Sequence, residues 1–276
     1  MNNILKPVIF VCCLVVLVHA CKKEERETIP QEISNETLME IKKLGFSTEG
    51  LKKANGGFLV EGDIFLPDED LLIQPRSPNV MIAQEEHYRT FKIVNALSYP
   101  TIKVNLNKNS SGYQRVFSAA LNEAIKRFNT LNLKVKFQHG NAAHAHINLN
   151  IYNEGSSTLA SAGFPTNNGA PYNSIRLNAY HFSTSTSAAN INYIATILTH
   201  ELGHCIGFRH TDYKNRAFSC GGATSNEGET ITGVGAVHIP GTPTDANAGS
   251  WMLACIGSGT NRPFNFNDIK ALNYVY

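Results

Sequence analysis

Histidine is scarce in this chain, ten residues in 276, yet three crowd into the stretch His200-Glu201-Leu202-Gly203-His204-Cys205-Ile206-Gly207-Phe208-Arg209-His210. On a helix, two histidines four apart stand about 40° apart around the axis and one turn apart along it. His200 and His204 can therefore reach one ion. Gly207 can take the backbone that stops a helix and turns the chain back, so His210 arrives from another direction as a third ligand. Three neutral imidazoles with one open position describe a catalytic zinc site rather than a closed structural one. Glu201 follows the first ligand and is the expected general base, within reach of the metal-bound water. The competing reading is an amphipathic core helix whose histidines are satisfied by neighbours. It accounts for the helix but not for a scarce residue at three spaced positions.

The helix needs support on both sides. Upstream, Ile191, Ile194, Ile197 and Leu198 recur at helical spacing, so the zinc helix is expected over about 190–207. Thr101 to Leu106 alternates as a half-buried strand, 114–132 carries a helical stripe from Val116 to Phe128, and strands are expected at 133–137, 146–152, 158–164 and 174–178. After His210 the chain is rich in Gly, Pro, Ser and Thr, and Asn267 can cap a last helix over 268–276. The fold class is therefore α+β. It has a twisted mixed five-stranded sheet, two long helices and a loop-rich C-terminal subdomain ending in a helix. The stretch 159–164, with its small side chains, is the candidate edge along which a peptide would bind extended.

At these residues the chain resembles a known clan. HExxHxxGxxH is similar to the zinc motif of the metzincin endopeptidases, and HELGHCIGFRHTD resembles the dual-action HEIGH metallopeptidases within it. The resemblance covers roughly 95–276 and implies one catalytic zinc on His200, His204 and His210, with Glu201 as base. It further implies a methionine turn at Ser250-Trp251-Met252-Leu253, with Met252 as an apolar floor rather than a ligand. Asp212 stands where clan members carry a family-marking residue. Val60-Glu61-Gly62-Asp63 resembles the FxGD element of astacin pro-segments, which implies that Asp63 could plug the open zinc position; a Gly-Asp turn explains the same residues. One departure stands out. Ala254 occupies the position where astacins and serralysins carry a tyrosine that serves the oxyanion. Tyr213 or a backbone N–H is left as the substitute.

The ends and the composition set the setting. Lys6, the apolar run 8–18 and Ala20-Cys21 read as a signal peptide over 1–20 with a lipobox-like cysteine. Plain secretion with cleavage after Ala20 is the alternative. The domain reading is 21–33 a lipidated tether, 34–94 a pro-segment and 95–276 the zinc metallopeptidase domain, divided into 95–207 and 208–276. Arg76 and Arg89 are possible processing points. The product would be a monomer of the cell envelope, outer membrane or cell surface, or extracellular after processing. Its membrane contact would run only through lipid on Cys21. A net charge of +2 and the lack of any basic run argue against nucleic acid. The expected partner is a protein or peptide substrate, and the rival function is a metal-binding surface adhesin that does not cut. Cys205, Cys220 and Cys255 permit one disulfide in an oxidising compartment, with three pairings open. His139, His144 and His146 read better as loop and strand polar groups than as a second metal site. His181 reads as polar surface, and 238–243 as a rigid turn that could shape the substrate pocket.

Overall fold

The computed structural model describes residues 33–72, 87–107, 112–222, 227, 234–243 and 245–276. The leader, Cys21, the tether and Arg76 lie outside the described residues. In chain order the elements are α1 (Asn35–Lys43), β1 (Lys52–Ala54), β2 (Gly57–Val60), β3 (Ile64–Pro67), β4 (Tyr88–Arg89), β5 (Thr101–Leu106), α2 (Gln114–Asn129), β6 (Lys136–His139), β7 (Ile147–Tyr152), β8 (Ala160–Ala162), β9 (Ser174–Asn178), α3 (Ala188–Ile206), α4 (Ala217–Cys220), β10 (Val237–His238) and α5 (Phe266–Val275). Short 3₁₀ turns cover Asp68–Leu72 and Ala179–His181. Among the described residues no helix is long and apolar enough to cross a membrane.

One mixed sheet organises the molecule, in the order β1-β2-β3-β8-β9-β7-β5-β6. Pairings β3–β8, β5–β6, β5–β7 and β7–β9 are parallel; the other three are antiparallel. The expected five strands are all present as β5 to β9, but the sheet has eight, and the described chain has five helices rather than two long ones and a last. The difference lies mostly in residues 52–67. By its alternation the part from Phe58 to Leu66 reads as a single strand, but Glu61 (φ +54°) and Gly62 (φ +91°) turn the chain back. A hairpin, β2–β3, results. Its second strand docks in parallel on β8, with Ile64 opposite Ala162. The stretch read as a free edge is therefore covered.

The core explains why these elements hold. Val116, Phe117, Ala120, Leu121, Ala124 and Phe128 bury one stripe of α2, and α3 is buried continuously from Tyr193 to Ile206. Each such large apolar side chain contributes about 1.5–3 kcal/mol of burial. A second cluster gathers Ile41, Leu44, Phe46, Phe58, Val60, Ile64 and Leu66 with Val234. Ser34 caps α1, accepting from the Thr37 N–H. The last helix is capped two residues earlier than expected. Asn265, not Asn267, forms a reciprocal capping box with Asp268.

Candidate metal centre

Helix α3 delivers two imidazoles and then stops. Gly207 closes it in the left-handed region (φ +111°), its N–H donating to the carbonyls of Gly203 and His204. A Cβ there would also sit 2.6 Å from the Lys92 carbonyl oxygen, so only glycine fits. The chain reverses and His210 comes to the other two rings. Ring centroids are 4.6 Å apart for His200–His204, 5.3 Å for His200–His210 and 4.9 Å for His204–His210.

The decisive detail is on the far side of each ring. His200 Nδ1 meets the Trp251 carbonyl at 3.0 Å, and His204 Nδ1 meets the Phe208 carbonyl at 2.8 Å. A carbonyl only accepts, so both Nδ1 atoms must carry the proton. His210 Nδ1 donates to the Glu227 carboxylate at 2.8 and 2.9 Å. All three Nε2 atoms therefore face inward. Those of His200 and His204 are buried without a hydrogen-bond partner. One ligand atom from each histidine and one carboxylate oxygen of Asp63 lie within 4.8 Å of one another. Orphaned, buried, convergent imidazole nitrogens with outward-tied Nδ1 atoms fit a divalent cation.

Electrostatics agree. Burial and the charges of His200 and His210 push His204 well below the usual imidazole range. Burial alone would do the same to His210, but Asp63 and Glu227 flank it and hold its pKa well above that range. Burial would raise Asp63, yet the His210 charge keeps it well below the usual carboxylate range. Two carboxylates thus call for positive charge at this point, which a cation would supply in place of a proton. Glu201 is buried beside them with Oε2 unpartnered, its carboxyl pushed well up by burial and by Asp63.

The remaining residues sort clearly. Met252 is buried beneath α3, where Gly203 leaves the space; a Cβ on Gly203 would meet Trp251 and Met252 Sδ at 2.5 and 2.7 Å. Asp212 accepts from the Ala254 N–H at 2.9 Å and so ties the His210 loop to the methionine turn. Cys220 and Cys255 form the disulfide, 5.1 Å between Cα atoms, and Cys205 is the buried free thiol. Tyr213 does not line the cleft; it packs against Tyr88, ring centroids 4.4 Å apart. His181, read as surface, does line it, with Nε2 2.7 Å from the Ser156 carbonyl oxygen. The 238–243 turn lies away from the cleft, where β10 pairs with β4. His139 pairs with Asn122, and His146 Nδ1 accepts from the Lys103 N–H. Neither joins a metal-ligating cluster among the described residues.

Three contributors lacked any sequence signal. Glu227, in a glycine-rich loop, orients His210 and also meets Arg216 Nη1 at 2.9 Å. Asp268 accepts from Ser250 Oγ and from the Trp251 and Asn265 N–H groups, and pairs with His87 at 2.8 Å. Arg209, fully buried and next to His210 in the chain, donates through Nη2 to both Glu61 oxygens at 2.7 and 2.9 Å.

The family model described as "Dual-action HEIGH metallo-peptidase" matches residues 69–276. Among the curated proteins nothing matches. Two solved structures of myroilysin align partially. One is 17% identical, covering 41% of this chain and 45% of its own, with a TM-score of 0.29. The other is 14% identical, covering 62% and 90%, with a TM-score of 0.40.

Proposed function

The chain belongs to the dual-action HEIGH metallopeptidases, and on that premise we propose that it is a zinc endopeptidase held latent by its own N-terminal segment. The family implies a metal ion and a protein or peptide substrate; zinc, Glu201 and the endopeptidase cut are our assignment. The observation that carries it is the inward convergence of three Nε2 atoms whose Nδ1 atoms are all tied outward.

His200, His204 and His210 would hold the ion. When bound, zinc supplies Lewis acidity, polarising a carbonyl and lowering the pKa of water to about 7. The chain's own residues do the rest. The Trp251 and Phe208 carbonyls and Glu227 lock the tautomers and ring orientations. Glu201, buried and unpartnered, takes the proton from the attacking water and passes it to the departing amine nitrogen. β8 offers main-chain hydrogen bonds to an extended peptide. Digestion of casein by the wild type, with Glu201→Ala as control, tests this reading. A metal-loaded mutant that still cuts would sink it, and a wild type that binds zinc but cuts nothing would leave the adhesin reading.

Latency rests on three contacts of residues 33–72. Asp63 Oδ2 lies 3.2 Å from His210 Nε2 and 3.4 Å from His200 Nε2, where a fourth ligand would sit. β3 occupies the β8 edge, and the Asp63 carbonyl accepts from the Ala162 N–H at 3.0 Å. Glu61 neutralises Arg209. Uncleaved Asp63→Ala protein should gain activity over the uncleaved wild type; equal latency would remove Asp63 from the account. Export and a lipid anchor on Cys21 rest on the leader pattern of 1–21 alone. Metabolic labelling with palmitate, lost in Cys21→Ser, checks the anchor.

A further inference from the structure

A cavity of about 560 Å³ opens beside Glu201 and His200. One wall is the Thr196–Ile197 face of α3, and the facing wall is the segment 253–256 that follows the methionine turn. Arg262 joins the two walls. Its backbone N–H donates to Thr196 Oγ1 at 3.0 Å, one helical turn before His200, and its Nη1 reaches the Cys255 carbonyl at 3.4 Å. Ile197, Leu253 and Ile256 give these walls an apolar surface, and Ser157, Thr158, His181 and Glu201 add polar groups to the lining.

The charges in this cavity are uneven. Lys52 and Asp63 belong to the latent segment. Arg216 is engaged by Glu227. Arg262, by contrast, makes no ion pair among the described residues, and the Cys255 carbonyl accepts the only side-chain hydrogen bond it makes among them. A guanidinium has five N–H donors. The carboxylates nearest in field, Asp212 and Asp268, are already spent on backbone N–H groups and hydroxyls. Burial lowers the Arg262 pKa despite them, so its charge is under-compensated.

The side of the scissile bond follows from strand direction. The cavity is lined by Thr158, Leu159 and Ala160, at the start of β8. A peptide laid antiparallel on β8 runs toward that start, so its residues after the cut pass the cavity.

Resting on the zinc-endopeptidase reading, we propose that this cavity receives the side chain immediately after the scissile bond and that Arg262 selects an acidic one, Asp or Glu. The apolar walls take the methylenes and the guanidinium takes the carboxylate in a charge-assisted pair.

The test uses the full chain, purified, zinc-loaded and matured by limited proteolysis. It cleaves quenched fluorescent peptides that differ only in Glu, Gln, Leu or Lys at the positions flanking one bond. Glu after the bond should exceed Gln by on the order of tenfold or more in kcat/KM. R262Q should bring that ratio to about one, R262K should keep most of it, and R262E should favour Lys. Each ratio is read within one preparation, so a partly folded variant still reports. Wild type that cuts the set without acid preference, or prefers acid before the bond, overturns the inference and leaves the peptidase standing. A ratio unchanged in R262Q overturns it too. Zinc-loaded wild type that cuts none of the peptides overturns the peptidase reading and this inference with it.

Discussion

The two halves of the metal centre are held by different physics. His200 and His204 ride on α3, whose backbone groups pair with each other and whose apolar faces fill the core. His210 and the methionine turn belong to a stretch with little regular structure. There, buried carboxylates stand in for missing secondary structure. Asp212 gathers the Ala254 N–H and Ser219, Glu227 gathers His210 and Arg216, and Asp268 gathers Ser250, Trp251, Asn265 and His87. A loop has no regular ladder to satisfy all of its backbone donors, so buried ones left over need side-chain acceptors. The lesson is that the loop half depends on a few ionisable residues, while the helical half spreads its stability over many contacts.

Four substitutions test that contrast. Asp268→Ala strips three acceptor contacts at once and leaves His87 facing a void. It should cost about 4 kcal/mol in denaturant unfolding; a loss under about 1 kcal/mol would mean the carboxylate is not the brace. Ile194→Ala, in the helical half, should cost about 3 kcal/mol through the cavity it leaves, with little change in zinc affinity measured by chelator competition. If zinc affinity fell as much as stability, the division between the halves would fail. Glu227→Gln keeps an acceptor for His210 but removes the charge. Zinc affinity should fall about tenfold with stability reduced far less than in Asp268→Ala. Asn265→Ala removes the cap of α5 and should lower stability by about 1 kcal/mol, read as a modest fall in Tm.

Legibility in the sequence followed the same division. The strands β5, β7 and β9 and the helices α2 and α3 came out of periodicity, because period 2 and period 3.6 are local consequences of backbone geometry. The convergence of His200, His204 and His210, with Glu201 next in the chain to the first, was legible from spacing too. Asp63 was legible only through likeness to a pro-segment motif. The β2–β3 hairpin was misread because its turn is made by Glu61, a residue type that seldom enters the left-handed region. Glu227, Asp268 and Arg209 were invisible, since His210, His87 and Glu61, which they respectively meet, lie 17, 181 and 148 residues away in sequence.

What the sequence determined by itself is therefore the local chemistry: which side chains a helix would carry on one face, and where glycine would end it. Tertiary structure alone decided which carboxylate backs His210, which strand covers β8 and which cysteines join. Those choices are made when distant segments share one core, and the free energy that selects them is written in packing and charge pairing rather than in any repeat along the chain.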